Sequence, residues 1–214
     1  MGCNLMSEYF RDAIRLLFLL IEGSHSLETP YASGATHIFR GEARLHALDF
    51  WVRYPDYLAA ELLDRFENSR DPKDLATVDD IFSTDEPDVR RLPMIRYFFG
   101  AYDPIDTAIS VLSSRRLVIV TGKKSGGKIQ ETDFLVTQRA RELGDEIVRS
   151  APILVWYANR AKVVCGLAGN RTGTALKEQQ YRRSPYAGTE RGAEIPSIKG
   201  DVLARLAEIK RRMG

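Results

Sequence analysis

The chain has 214 residues, 44% hydrophobic and 28% charged, with a formal net charge of +2; this leaves room for one domain or two small ones and lacks the basic field of a dedicated nucleic-acid binder. Two cysteines, Cys3 and Cys165, are too few for a disulfide framework and fit a reducing compartment. The apolar stretch Ile14 to Ile21 falls far short of the roughly 20 residues of a membrane span and no small-residue cleavage site follows it, so the expected location is cytoplasmic with no membrane partner.

In chain order, Phe10, Ile14, Leu17 and Ile21 form a helical stripe that Gly23 can end. Residues 24–40 are polar and turn-rich and read as a loop. Leu45, Leu48 and Val52 predict a second helix, with Phe50 and Trp51 widening its apolar side. Tyr54-Pro55 breaks it, because the residue before proline avoids helical dihedrals, and Asp56 opens a third helix carrying Leu58, Leu62 and Phe66. Two helices joined by a sharp proline turn resemble the lead-in of a helix-turn-helix. Residues 67–91 read as a surface loop with a short helix near 78–82. Met94 to Phe99 reads as a strand that Gly100 ends.

Ile105, Ala108, Ile109 and Leu112 predict a helix from Pro104 to Arg115, with Asp103 as its N-cap. Leu117 to Thr121 is a β-branched strand, Gly122 to Lys128 a glycine-rich turn, and Thr132 to Val136 the returning strand. Thr137 caps a further helix whose face is Val136, Ala140, Leu143 and Ile147. Helix, hairpin and helix in this order predict a winged helix. Beyond it come helices at about 152–167 and 174–183, a Pro/Gly loop at 184–197, and a last helix at 201–213. The fold class is therefore α+β and mostly helical: an N-terminal helix and loop (1–40), a winged-helix-like domain (41–150) and a C-terminal helical extension (151–214).

Gly122 to Lys128 also matches G-x-x-x-x-G-K, the front of a phosphate loop. That loop requires Ser or Thr next, for magnesium, and then a helix facing the phosphates. Ile129 follows instead, and IQETDFLV reads as strand. The better reading is a basic wing. Lys123, Lys124 and Lys128, with Arg115 and Arg116 at the end of the preceding helix, are the candidate contacts to DNA phosphate or an acidic partner; a solvated hairpin tip is the plain alternative. A DNA-reading helix needs Arg, Lys, Asn or Gln on its exposed side. The helix from Pro104 begins instead with Asp103 and Asp106. His25, His37 and His46 show no metal-ligand spacing, and no nucleophile signature is present. The expectation is a non-enzyme without metal or cofactor. Trp51, Tyr54 and Tyr57 read as core aromatics, with a partner groove as the sharper alternative.

Three segments, LHALDFWVRYPDYLA (45–59), MIRYFFGAYDP (94–104) and GNRTGTALKEQQYRRSP (169–185), resemble the middle component of ABC-three-component systems, the Lamassu-type bacterial defence operons. The matching positions are Leu45, Leu48, Asp49, Phe50, Pro55 and Leu58; then Met94 to Tyr97, Gly100 and Asp103; then Gly173, Thr174, Leu176, Lys177 and Tyr181. The likeness runs from Leu45 onward and leaves out the N-terminal helix. It implies a non-catalytic adaptor between an SMC-like ATPase and an effector subunit, often a nuclease, meeting duplex DNA only indirectly or weakly. The other readings are a winged-helix transcription regulator binding duplex DNA as a dimer, and a nucleotide-binding enzyme using Gly122 to Lys128.

Overall fold

The computed structural model describes residues 2–31, 33–83, 93–97, 100–125 and 128–213; the side chains of 2–9, 123–125 and 128–130 lie outside that description. Helices α1 (Gly2–Glu22), α2 (Glu42–Arg53), α3 (Pro55–Ser69), α4 (Pro72–Ser83) and α5 (Asp106–Ser114) precede the long hairpin, and α6 (Gln138–Ser150) follows it. Next come a 3-10 turn (Pro152–Leu154), α7 (Val155–Ala168), α8 (Gly173–Tyr181), the one-turn α9 (Ser184–Ala187) and α10 (Lys199–Met213). The strands are β1 (His25–Ser26), β2 (Ala35–Phe39), β3 (Ile95–Tyr97), β4 (Gly100–Tyr102), β5 (Val118–Ser125) and β6 (Lys128–Thr137). The protein is mostly helical with a small antiparallel sheet, as an α+β chain should be.

The chain divides into two compact units, each made of two separate stretches: Met1–Asp49 with Asp103–Glu178, and Phe50–Tyr102 with Gln179–Gly214. The expected division at 1–40, 41–150 and 151–214 runs consecutively along the chain, whereas these units interleave. Sheet pairing is the reason, because β2 pairs with β6 across about a hundred residues and Phe39 lies opposite Phe134.

The first unit is built on a four-stranded sheet of order β1-β2-β6-β5. Residues 24–40, expected to be loop, supply two of its strands. Phe39 and Phe134 pack edge to face at 6.3 Å, and the Arg44 guanidinium lies 4.8 Å from the Phe39 centroid. Arg44 donates to the carbonyls of Gly23 (2.8 Å) and Gly169 (3.1 Å), next to the ends of α1 and α7, where helix carbonyls lack partners of their own. The stretch of α1 from Leu16 to Leu20 is buried all round: Leu16, Leu17, Phe18, Leu19 and Leu20 are each 3% exposed or less. Within that apolar surround Arg15 donates to Asp49 at 2.5 Å. Burial alone lowers the Arg15 pKa, but the charges of Asp49 and Asp12 outweigh it and hold the guanidinium above its ordinary range.

The second unit is helical with a β3–β4 hairpin. Gly100, expected to end a strand, begins one instead, and Tyr97 pairs back onto it; Phe98 and Phe99 lie outside the described residues. α4 is a full twelve-residue helix where a short one near 78–82 is expected, with Asp74, Val78 and Ile81 buried. The proline break falls as expected: α2 ends at Arg53 and Pro55 opens α3. Trp51, Tyr54 and Tyr57 are core, at 0%, 5% and 1% exposure. Phe50 stacks on Tyr54 (4.7 Å) and meets Tyr57 (5.0 Å) and Tyr186 (5.1 Å) edge on. Each buried tyrosine hydroxyl has a backbone partner: Tyr57 donates to the Pro196 carbonyl (3.0 Å), and Tyr54 and Tyr186 accept from the amides of Met94 (3.0 Å) and Ala101 (2.7 Å). Burial raises the pKa of all three phenols. Fully buried Asp56 accepts from Ser197 Oγ (2.6 Å) and the Ile198 amide (2.8 Å), a carboxylate set just before α10 where the helix dipole favours it. Arg183 bridges Glu61 and Asp64, and Arg205 bridges Asp64 and Glu67.

Candidate interaction site

α5 begins at Asp106, not at Pro104, and its N-cap is Ile105, which offers no side-chain bond; Asp103 is not the cap. Ala108, Ile109 and Leu112 are its buried face, as their spacing predicts. Asp106, Thr107, Ser110 and Ser114 are exposed. The outward face of α5 therefore carries an acid and three small hydroxyls, with no basic side chain before Arg115. Such a face has no bidentate donor for a guanine edge.

Arg115 and Arg116 follow α5, both exposed. Arg116 sits in the left-handed region (φ 55°) and its amide donates to the Ser113 carbonyl at 2.9 Å, which turns the chain sharply into β5. The Thr137 hydroxyl lies 3.0 Å from the carbonyls of both Arg116 and Leu117, with one proton to share between them, and its oxygen accepts from the Ala140 amide at 3.2 Å. Thr137 is thus the N-cap of α6, as expected, and also fixes the arginine turn beside the start of that helix.

β5 and β6 are longer than their β-branched cores. The register runs from Val118 opposite Val136 through Lys123 opposite Glu131 to Ser125 opposite Lys128, with an irregularity between Lys123 and Lys124. Five residues separate Val118 from Lys123, about 17 Å of strand. The expected cations therefore form two groups: Arg115 and Arg116 at the base of the hairpin, and Lys123, Lys124 and Lys128 at its far end. The strand geometry also removes the phosphate-loop reading. Residues 128–137 are strand, and no helix begins until Gln138, whereas bound phosphates require a helix N-terminus directly after the glycine turn.

A feature not apparent in the sequence lies between α1, α5 and α6 within the first unit: an apolar groove of about 420 Å³. Phe10, Ile14 and Leu17 of α1 form one wall, Val111 and Leu112 of α5 another, and Leu143 and Ile147 of α6 the third; Arg115, Arg139, Glu142 and Glu146 also line it. α1 meets α6 closely at Gly144, where a Cβ would lie 2.9 Å from Ile21 Cδ1. Only Ala140 and Gly144 of α6 are buried; Leu143 and Ile147 are partly covered. The predicted stripe Phe10–Ile14–Leu17–Ile21 lies on α1 and faces this groove in part; of the predicted face Val136, Ala140, Leu143 and Ile147, the last three lie on α6, whereas Val136 belongs to β6, because the helix begins only after the Thr137 cap. Phe10 remains 47% exposed.

Several of the positions that carry the resemblance serve the interior, while Tyr97 and Thr174 are exposed. Leu45, Leu48, Asp49, Phe50, Leu58 and Leu176 are fully buried. At Gly173 a Cβ would stand 2.5 Å from the Arg44 amide nitrogen, so only glycine permits that backbone approach. Among the described residues no group of three His, Cys, Asp or Glu side chains is placed to hold a metal ion. Burial pushes the Cys165 thiol up to about 12. No helix of the described residues is long and apolar enough to cross a membrane. Comparison with protein-family models, with characterised proteins and with solved structures gives no match.

Proposed function

We propose that the first unit is a winged helix whose sequence is interrupted by Phe50–Tyr102 of the second unit, and that the chain is a non-catalytic adaptor subunit of a bacterial defence complex. The connectivity supports the fold. Helix α1, strand β2 and helix α2 are followed by the excursion through Phe50–Tyr102, then by α5, β5 and β6. The strand order β2-β6-β5 is the first-third-second order of a winged helix, with β5–β6 as its wing. On this reading α1 is the first helix of the domain and not a flanking addition.

The observation that carries the adaptor reading is the outward face of α5. In the recognition-helix position it presents Asp106, Thr107, Ser110 and Ser114, which suits a protein surface and not base edges. With it stand the resemblance to the Lamassu-type middle component and a net charge of +2. The partners would be an SMC-like ATPase and an effector subunit in the cytoplasm, with DNA sensing belonging mainly to the ATPase. The lysine-bearing end of the hairpin favours a second reading, a duplex-binding regulator that grips phosphate through the wing alone.

Co-expression with the neighbouring genes, followed by a tagged pull-down at moderate salt, separates them. A large coiled-coil ATPase recovered in stoichiometric amount is the expected result. A chain that purifies alone and shifts duplex DNA in a strongly salt-dependent way overturns the adaptor reading.

A further inference from the structure

At the β1 edge of the four-stranded sheet the register sets a serine against a histidine, Ser26 opposite His37. The Leu27 amide donates to the Thr36 carbonyl at 2.9 Å, so Leu27 and Thr36 form a hydrogen-bonded pair and the neighbouring Ser26 and His37 do not. Side chains approach more closely in a pair of that second kind, and Ser26 Oγ stands 3.2 Å from His37 Nε2. Along β2 the register against β6 slips between Ala35 and His37, which leaves Thr36 as the extra residue of a bulge. A bulge re-aims a side chain that regular pleating would send to the other face. Here it brings Thr36 Oγ1 to 2.9 Å from His37 Nδ1. Both nitrogens of the imidazole therefore meet hydroxyls, one on exposed Ser26 and one on partly buried Thr36. Burial, and then the charge of Arg141, lower the His37 pKa, which keeps the ring neutral and able to take a proton. The Ser26 amide points away from β2, and among the described residues no strand lies beyond β1 on that side.

We propose that Ser26 is a nucleophile that accepts an acyl group from a small activated ester, with His37 as its base and Thr36 as the positioning residue. Nδ1–H donates to Thr36 Oγ1, which leaves Nε2 to accept from the Ser26 hydroxyl. Ser26 Oγ bonds to the carbonyl carbon as Nε2 takes the hydroxyl proton, and the outward Ser26 amide donates to the oxyanion. The C–O bond to the leaving alcohol then breaks, the proton passes from Nε2 to that alcohol, and an acyl ester remains on Ser26. The open sheet edge suits a small acyl donor. This is a covalent modification of the chain, and it goes beyond the adaptor reading without depending on it.

The full chain, alone and treated with p-nitrophenyl acetate near neutral pH, provides the test. The expected result is an initial burst of about one equivalent of nitrophenolate, with the acetyl ester placed on Ser26 by peptide mass spectrometry. Ser26→Ala should abolish that ester. His37→Gln keeps a hydrogen-bonding side chain but no base, and should slow ester formation roughly a hundredfold or more, with an unchanged circular-dichroism spectrum. Thr36→Val should slow it less, and Thr36→Ser should restore it. Acetyl groups found only on lysines overturn the proposal. So does a Ser26 ester that forms as fast in His37→Gln as in the unaltered chain.

Discussion

The two units solve the same problem in different ways. The second is closed by interactions with itself: a cluster of Phe50, Tyr54, Tyr57 and Tyr186 with every tyrosine hydroxyl bonded to backbone, and arginines bridging α3 to residues near the C-terminus. The first has an equally dry centre around Leu16 to Leu20 but leaves features open at its surface. Among the described residues β5 is an edge strand paired with β6, Val120 is 48% exposed, and Leu143 and Ile147 of α6 are half-covered. An open strand edge and an uncovered apolar stripe are features that free-standing proteins ordinarily blunt. The difference supports the proposal that the first unit carries the partner-binding surface.

The largest test concerns the interior of the first unit. Asp49→Ala strips the carboxylate from Arg15 and leaves a buried guanidinium with only Asp12 beside it, which should cost about 3–5 kcal/mol. Urea denaturation measures the loss; a cost below 1 kcal/mol would mean that water reaches Arg15 and that this centre is not dry. The matching change in the second unit is Asp56→Ala. It leaves the buried Ile198 amide without its acceptor and takes the Asp56 carboxylate from the exposed Ser197 hydroxyl, with an expected loss of about 1–3 kcal/mol. Hydrogen exchange should rise first at the start of α10, and unchanged exchange there would separate Asp56 from that helix.

Smaller effects sharpen the picture. Thr137→Ala removes the cap of α6 and should cost about 1 kcal/mol, with faster exchange at Ala140 and around the Arg116 turn. Burial raises the Cys165 thiol to about 12, so the folded chain keeps its proton where an unfolded chain releases it. The corresponding stability is fully present below the ordinary thiol range near 8.5 and is lost as pH rises toward 12. Peptide mapping after alkylation at mildly alkaline pH should find Cys165 unmodified until denaturant is added. Rapid labelling in the folded state would show that α7 opens.

The elements legible in the sequence were those whose signals are local. Ala140, Leu143 and Ile147 with the Thr137 cap, the β-branched start of β5, and the Tyr54-Pro55 break each fall within a few residues. β2 was not legible. Ala35 to Phe39 is short and flanked by polar residues, and it is a strand because β6 pairs with it from far along the chain. α4 has Leu75, Val78, Ile81 and Phe82 at helical spacing, but its first turn, Pro72, Lys73 and Asp74, reads like the polar stretch around it, which hid its length. The groove was hidden for a different reason. Periodicity shows that Phe10, Ile14, Leu143 and Ile147 face inward on their helices, but not whether anything covers them. Arg115 and Arg116 follow the helix before the hairpin, and Lys123, Lys124 and Lys128, read from the sequence as part of a glycine-rich turn, lie in its strands; how far apart the two groups stand depends on strand length, which glycine-rich sequence leaves open.

The first unit is proposed to carry the partner-binding surface. Hydrogen–deuterium exchange of the full chain, alone and co-purified with the proteins of its neighbouring genes, tests it most directly. The account predicts new protection on α1, α5, α6 and β5, with α3 and α10 unchanged. Protection confined to α3 and α10, with the exchange of α5 and α6 unaltered, would contradict it.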